Sequence, residues 1–122
     1  AAQRAIASWH LGWGPALEAS GSDWLAPFQA QLLADPYGVV RYVAAHRLRE
    51  LPGFEGVRID FLGSTNEWKA EAARVQREWK TRTPRPSRKG SEVLIGDDGD
   101  PLWDRVAALV AEQDTREMTI SE

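Results

Sequence analysis

The chain contains no cysteine, and it holds only one methionine and two histidines among its 122 residues. Without thiols these residues cannot form a disulfide, a thiolate zinc site, an iron–sulfur cluster or a covalent CxxCH haem attachment. Long apolar runs are also lacking: the longest, Val106 to Ala111, is far shorter than the ~20 residues of a membrane-spanning helix. No signal peptide opens the chain. The compartment therefore stays open.

The sequence is rich in tryptophan, and its charges are unevenly distributed. There are six tryptophans against three phenylalanines. Residues 1–90 contain 13 Lys/Arg and 9 Asp/Glu, a balance of +4, whereas residues 91–122 contain 2 and 9, a balance of −7. We therefore expect the acidic C-terminal part to pack on the rest. A protein that binds polyanions usually has a high pI and a basic patch, so nucleic acid is a minor hypothesis.

One helix is predicted from Asp35 to Leu51. Asp35-Pro36 supplies a turn and a preset first helical φ. Apolar residues then recur at spacings of three and four and form a single stripe; they are Val40, Val43, Ala44, Leu48 and Leu51. The polar residues Arg41, Arg49 and Glu50 fall off this stripe.

The segment from Arg4 to Gly12 has the same layout as that helix, at an offset of 37 residues. The matched pairs are Arg4 with Arg41, Ala7 with Ala44, Ser8 with Ala45 and Leu11 with Leu48. A period in the range of ~35–47 with small residues at the helix crossing is typical of stacked helix pairs, which bury their apolar stripes against their neighbours. The spacing thus predicts a repeat.

Between these helices we expect a loop or single turn over Ala16 to Gly21. A helix capped by Ser22 or Asp23 then runs to Ala34, and Pro27 should bend it. The stretch from Trp24 to Pro36, with Val40-Arg41 and Ala44 to Leu48, resembles one complete HEAT repeat. The resemblance covers residues 1–51. It implies by analogy a scaffold, a transport receptor or, in a few cases, an enzyme.

The HEAT resemblance also implies roles for two arginines. The arginine of one repeat's second helix reaches the aspartate at the turn of the next repeat, which places Arg4 against Asp35. Arg41 is expected either to contact the following extended segment at Asp60 or to remain free. If both arginines instead faced solvent, they would be candidates to bind an anionic partner.

A second resemblance links the chain to electron transfer. The motifs Trp9 to Trp13, Ser20 to Trp24, and Asp35-Pro36-Tyr37 with Val40-Arg41-Tyr42 are similar to the C-terminal part of bacterial proteins that join a multihaem c-type cytochrome region to HEAT-like or tetratricopeptide-like repeats. This resemblance implies that every haem site lies upstream of these residues and that the protein is periplasmic.

Beyond Leu51, Val57, Ile59 and Phe61 alternate with charged residues as an extended piece or tethered loop. Ser64 and Glu67 form a capping box that opens a helix to about Lys80. The apolar stripe of this helix consists of Trp68, Ala72, Val75 and Trp79. Its solvent face carries ion pairs of Arg74 with Glu71 and with Glu78. Residues 81–90 predict a basic, proline-containing linker.

Residues 91–122 predict an acidic strand–helix–strand cap. Its parts are a strand over Glu92 to Ile95, a turn over Gly96 to Gly99, a helix capped by Asp100 with Pro101 at its first position, and a short second strand over Met118 to Ile120. The helix should dock on the repeats through Leu102, Val106 and Leu109, with Val110 also on its stripe.

Three further groups of residues are candidates for chemistry or binding. Asp97, Asp98, Asp100 and Asp104 crowd a glycine as calcium loops do, but they lack the ligand alternation and closing Glu of an EF-hand, which favours a turn and helix cap. His10 and His46 have no accompanying serine motif or third metal ligand, so a structural or surface role is favoured. The tryptophans most open to a stacking groove are Trp9, Trp13 and Trp24.

The sequence therefore predicts a mainly α protein: HEAT-like repeats over residues 1–80, a linker over 81–90 and a cap over 91–122. We find no catalytic constellation and expect no cofactor. The function predicted is a non-catalytic interaction or scaffolding module, the C-terminal part of a larger protein; the alternative is an accessory domain of a multihaem cytochrome. Its partners would be the upstream part of its own chain or another protein, with dimerisation through an exposed face near Ile6 and Trp9.

Overall fold

The computed structural model describes residues 1–82 and 94–116. Six helices contain 60% of them, which confirms a mainly α fold. The helices are α1 (Ala2–Leu11), α2 (Gly14–Ser20), α3 (Leu25–Leu32), α4 (Gly38–Arg49), α5 (Thr65–Thr81) and α6 (Trp103–Ala111). None of the helices in these ranges combines the length and apolar character required to cross a bilayer.

Helices α1, α3, α4 and α5 pack in two layers, with α1 and α4 in one layer and α3 and α5 in the other. α1 lies against α4, α3 lies against α4, and α3 also lies against α5. Small residues permit the close approach of these helices, because the fully buried side chains at the crossings include Ala30 of α3 and Ala44 and Ala45 of α4. The core cluster is completed by larger side chains, chiefly Leu33, Leu48, Phe54, Val57, Val75 and Trp79.

A buried polar pair joins α1 to α3. Ser8 and Gln29 are both fully buried. The Ser8 hydroxyl donates to Gln29 Oε1 at 2.7 Å, and Gln29 Nε2 donates back to the Ser8 carbonyl at 2.8 Å. Because a buried polar group without a partner costs roughly 1–3 kcal/mol, this reciprocal pair sets the register of the two helices.

α5 follows the sequence prediction closely. Ser64 accepts a hydrogen bond from the Glu67 amide, and the Glu67 carboxylate accepts one from the Ser64 amide, so the capping box is confirmed. Ala72, Val75 and Trp79 are buried on one side of the helix. On the other side Arg74 pairs with Glu71 at 2.8 Å and with Glu78 at 2.9 Å, as the spacing predicted.

Three predictions before α4 were wrong. Residues expected to form a loop or single turn are the helix α2, which has Pro15 near its N-terminus, where a missing amide removes no helical bond. Pro27 was expected to bend its helix. α3 begins at Leu25, so Pro27 lies in the first turn, where amides have no intrahelical partner. Neither Ser22 nor Asp23 caps α3, since the N-cap is Trp24, without a side-chain bond.

The C-terminal predictions need similar corrections. α6 begins at Trp103 after an N-cap at Leu102, so Asp100 and Pro101 precede the helix. Within the described residues the expected strand reduces to a single antiparallel bridge between Ile95 and Pro101. This bridge holds Pro101 outside the helix. Residues 57–60 likewise form no strand, although Val57 is buried and Arg58 exposed as the alternation predicted.

Some predicted features lie outside the described residues. They are most of the linker over 81–90, the beginning of the strand over Glu92 to Ile95, and the second strand over Met118 to Ile120.

Candidate functional site

Arg4 and Asp35 form a pair between α1 and the turn before α4. Arg4 Nε donates to Asp35 Oδ2 at 2.6 Å, and Arg4 Nη2 donates to Asp35 Oδ1 at 3.1 Å. The Asp35 carboxylate is almost fully buried and also accepts the Tyr37 amide at 2.8 Å. The predicted contact between Arg4 and Asp35 is therefore present. Because this hydrogen bond to a buried carboxylate is bidentate, it holds the Arg4 guanidinium group inside the fold.

Arg41, the residue matched to Arg4 at the offset of 37, is buried. Its Nη1 donates to the carbonyls of Asp35 and Pro36 at 2.7 and 2.9 Å. Its Nη2 donates to the Phe61 carbonyl at 3.3 Å, not to the predicted Asp60 carboxylate. Burial lowers the pKa of Arg41 from its usual value, and the Asp35 charge opposes this shift.

Arg41 is also covered by an aromatic ring. Its guanidinium carbon lies 3.5 Å from the centre of the Trp68 ring, and Trp68 Nε1 donates to the Asp60 carbonyl at 2.6 Å. This cation–π contact compensates part of the lost hydration of the charge. Arg4 and Arg41 thus hold α1, α4 and the segment after α4 together, and they do not form an exposed anion-binding face.

The three candidate tryptophans do not share one place. Trp24 Nε1 donates to the Ser20 carbonyl at 3.2 Å, and its ring meets Phe28 edge-on at 6.0 Å. It therefore fastens α2 to α3. Trp9 and Trp13 face outward, with 50% and 58% of their surface exposed. Trp13 meets His10 edge-on at 6.5 Å.

A row of rings crosses the outer side of α1 and α4. The ring centres of Trp9 and His46 are 6.2 Å apart, and their planes differ by 7°. His46 lies 6.4 Å from Tyr42 with planes 2° apart, and Tyr42 lies 5.7 Å from Phe61. We call these four residues the aromatic face. Ile6 and Val39 extend it, one helical turn before Trp9 and Tyr42, respectively.

Charges frame this surface at the end near Trp9. The guanidinium carbon of Arg47 lies 3.9 Å from the centre of the Trp9 ring. Arg47 also pairs with Glu50 at 2.7 Å, and His46 Nε2 lies 3.7 Å from the same carboxylate. The Arg47 guanidinium thus covers the Trp9 ring while its charge is paired with Glu50.

The acidic candidates around Gly99 lie in a turn and do not gather into a metal site within the described residues. In residues 1–82 and 94–116 no three His, Cys, Asp or Glu side chains come together as a metal site would require. The acidic stretch around Gly99 forms a turn, as favoured: the Gly99 amide donates to the Gly96 carbonyl at 2.9 Å, and the Asp100 amide donates to Asp98 Oδ1 at 2.9 Å.

Comparison with known proteins found no family model, no curated protein and no solved structure that matches the chain. The likenesses to HEAT repeats and to cytochrome-associated repeats therefore stay predictions.

Sequence reasoning named Trp9 as a stacking candidate and favoured a structural or surface role for His46, but it missed Tyr42 and Phe61. One signal was available, because Tyr42 and His46 are four residues apart and fall on the same side of α4. Phe61 comes from an irregular segment, and its approach to Tyr42 depends on the bond from Arg41 to the Phe61 carbonyl. No local pattern predicts such a contact.

Proposed function

We propose that this chain is a non-catalytic protein-interaction module with HEAT-like helix pairs, and that the aromatic face is its contact surface. The observation that carries the proposal is the exposure of large rings in a single row. Trp9 and Tyr42, which belong to this row, each leave half or more of their surface in water.

The size of the surface supports an interaction role. An aromatic side chain offers roughly 150–250 Å², so these two residues alone expose on the order of 200 Å². Ile6, Val39 and Phe61, which are 37–59% exposed, add to that area. Contiguous apolar patches of a few hundred Å² on a monomer often mark interaction sites, and tryptophan and tyrosine are enriched among residues that dominate binding energy.

The helix packing supports the HEAT-like part of the proposal. Helices of one layer pack on each other, as α1 does on α4 and α3 does on α5, and α3 and α4 join the two layers. The Arg4–Asp35 pair connects consecutive units in the way that the resemblance implies. In such stacks the outer sides of equivalent helices form an extended binding surface.

The proposal can be tested by quantitative affinity capture from the source organism. The variant combines Trp9→Ser and Tyr42→Ser, which remove two rings of the row that are 50% and 58% exposed and so leave the core closed. The matched control is Trp13→Ser, which removes a tryptophan that is 58% exposed and whose ring meets His10 outside the row.

We expect specific proteins to be retained by the wild type and the control and lost from the double variant. Circular dichroism should show unchanged helix content in all three. If the double variant and the control capture the same proteins in the same amounts, the aromatic face is not the contact surface.

A further inference from the structure

α6 covers a groove that it fills poorly. Val106 is 6% exposed, whereas Leu109 and Val110 are 53% and 47% exposed. The Cα atoms of α6 stay farther than 8 Å from those of the other described helices. Packed helices normally lie with axes 8–10 Å apart and interlocked side chains. α6 therefore rests on its neighbours without interlocking with them.

Two open spaces remain beside α6. One, of about 500 Å³, lies among Leu11 of α1, Phe28 and Leu32 of α3, and Val106 and Leu109 of α6. The other, of about 390 Å³, lies among Leu32, Ala72 of α5 and Val110. Unfilled apolar space forfeits dispersion contacts, so a helix with longer apolar side chains at the same positions would bind this groove better than α6 does.

The groove also holds the chain that leaves α6. Arg4 Nη1 donates to the Asp114 carbonyl at 2.9 Å, and Gln113 Nε2 donates to Asp35 Oδ2 at 3.3 Å. A cation that binds carbonyls after a helix C-terminus complements the helix dipole. Arg4 thereby gives the groove a direction, because the C-terminal end of the occupying helix must lie beside it.

Charge completes the description of the occupant. Residues 94–116 contain six Asp/Glu and two Arg. The charged side chains of residues 1–82 that line the two spaces are Arg4, Asp35 and Lys69. Arg4 and Asp35 are paired with each other, so the excess positive charge comes from Lys69 and from Lys80, whose Nζ lies 5.9 Å from the Trp103 ring. A positive rim around an apolar floor attracts an acidic amphipathic helix and disfavours a basic one.

We propose that this groove is a binding site for an acidic amphipathic helix of a partner protein, and that α6 is an internal competitor that occupies the groove in its absence. The partner helix presents apolar side chains at spacings of three and four, as Val106, Leu109 and Val110 do, and ends beside Arg4. The proposal uses residues outside the aromatic face and does not depend on the function assigned to that face.

The test measures binding of a fluorescein-labelled synthetic peptide of residues 97–116 to the full chain by fluorescence anisotropy. Val106→Asp in the chain weakens the internal competitor. If α6 occupies the groove about nine-tenths of the time, its release tightens the apparent affinity about tenfold. Ala107→Asp adds the same charge at an exposed position and should leave the affinity as in the wild type.

Two further variants complete the test. Leu109→Asp weakens α6 at a side chain that is already half exposed, so it serves if Val106→Asp perturbs the fold. Gln31→Glu, added to Val106→Asp, places a negative charge at a position that borders both spaces and should weaken peptide binding severalfold.

The results that overturn the proposal are equally specific. Equal affinity of the Val106→Asp, Leu109→Asp and Ala107→Asp chains for the peptide would show that α6 does not compete for the groove. A wild-type chain that forms a dimer in light scattering, lost on Val106→Asp, would show that the occupant is α6 of a second copy and not a partner helix.

Discussion

Residues 1–82 and residues 94–116 achieve their structure in different ways. In the first part, helices share a core in which Leu33, Leu48 and Val75 are fully buried. In the described part of the acidic segment, the buried apolar side chains are those of Pro101 and Val106. The segment is connected to the rest by polar bonds at Arg4 and Asp35. An apolar stripe therefore favours a helix, but it does not ensure that the helix is buried in the core.

The stripe predicted for α6 illustrates this point. Leu102, Val106 and Leu109 were expected to dock on the repeats, yet Leu102 and Leu109 are 37% and 53% exposed and only Val106 of the three is buried. Helical stripes become buried when the partner surface offers close approach. The small residues of α3 and α4 provide it for one another, whereas Phe28 and Leu32 below α6 leave open space.

The strongest test of the comparison is a matched pair of valine truncations. Val75→Ala removes two methyl groups from the fully buried core and should lower the free energy of unfolding by about 2–3 kcal/mol. Val106→Ala should lower it by less than about 1 kcal/mol, because neighbouring α6 side chains are already hydrated. Urea denaturation measures both. Equal losses would mean that α6 belongs to the core.

The second test concerns the pair at which the two parts meet. In a double-mutant cycle, Arg4→Ala and Asp35→Ala should couple by more than ~1 kcal/mol, because either single change leaves a partly buried charge without its partner. Gln113→Ala serves as the control. It removes a 3.3 Å bond and should cost clearly less than Arg4→Ala. If Gln113→Ala costs as much, the acidic segment stabilises the pair and the division fails.

The smallest expected effect concerns the pH dependence of stability, to which the carboxylates of Glu71 and Asp114 should contribute differently. Hydrogen bonds from Arg74 lower the pKa of Glu71 from its usual 4.5, with a smaller contribution from the Arg58 amide, against the opposing effect of burial. The resulting stabilisation is fully present above the unfolded pKa and is lost as the pH falls through the lower folded pKa. Glu71→Gln should therefore cost below about 1 kcal/mol at pH 7 and flatten the acid limb of the stability profile.

Asp114 is the counterpart in the acidic segment. Its pKa is also lowered, chiefly by hydrogen bonds from Arg116, but the two residues are only two apart and exposed. Such a contact forms as readily in the unfolded chain and is screened by water. Asp114→Asn should leave the pH dependence of stability unchanged. Thermal melts between pH 3 and pH 7 compare the variants, and a flattened limb for Asp114→Asn would contradict this assignment.

Sequence alone was sufficient to predict the features that depend on near neighbours along the chain. The capping box of Ser64 and Glu67 and the ion pairs of Arg74 follow from spacings of three and four in one helix. The resemblance to HEAT repeats added one long-range contact, that of Arg4 with Asp35. The class of fold followed from the apolar stripes of α1, α4 and α5, because periodic burial is written into residue order.

Which apolar stripes are buried and which surfaces remain exposed depends on how the helices pack in the tertiary structure. Phe61 joins the aromatic face because Arg41 binds its carbonyl, and α6 begins late because Pro101 pairs with Ile95. Both outcomes depend on contacts between residues brought together by packing, and their energies are not encoded in either segment alone. The aromatic face and the groove under α6 therefore became visible only when the helices were placed in space.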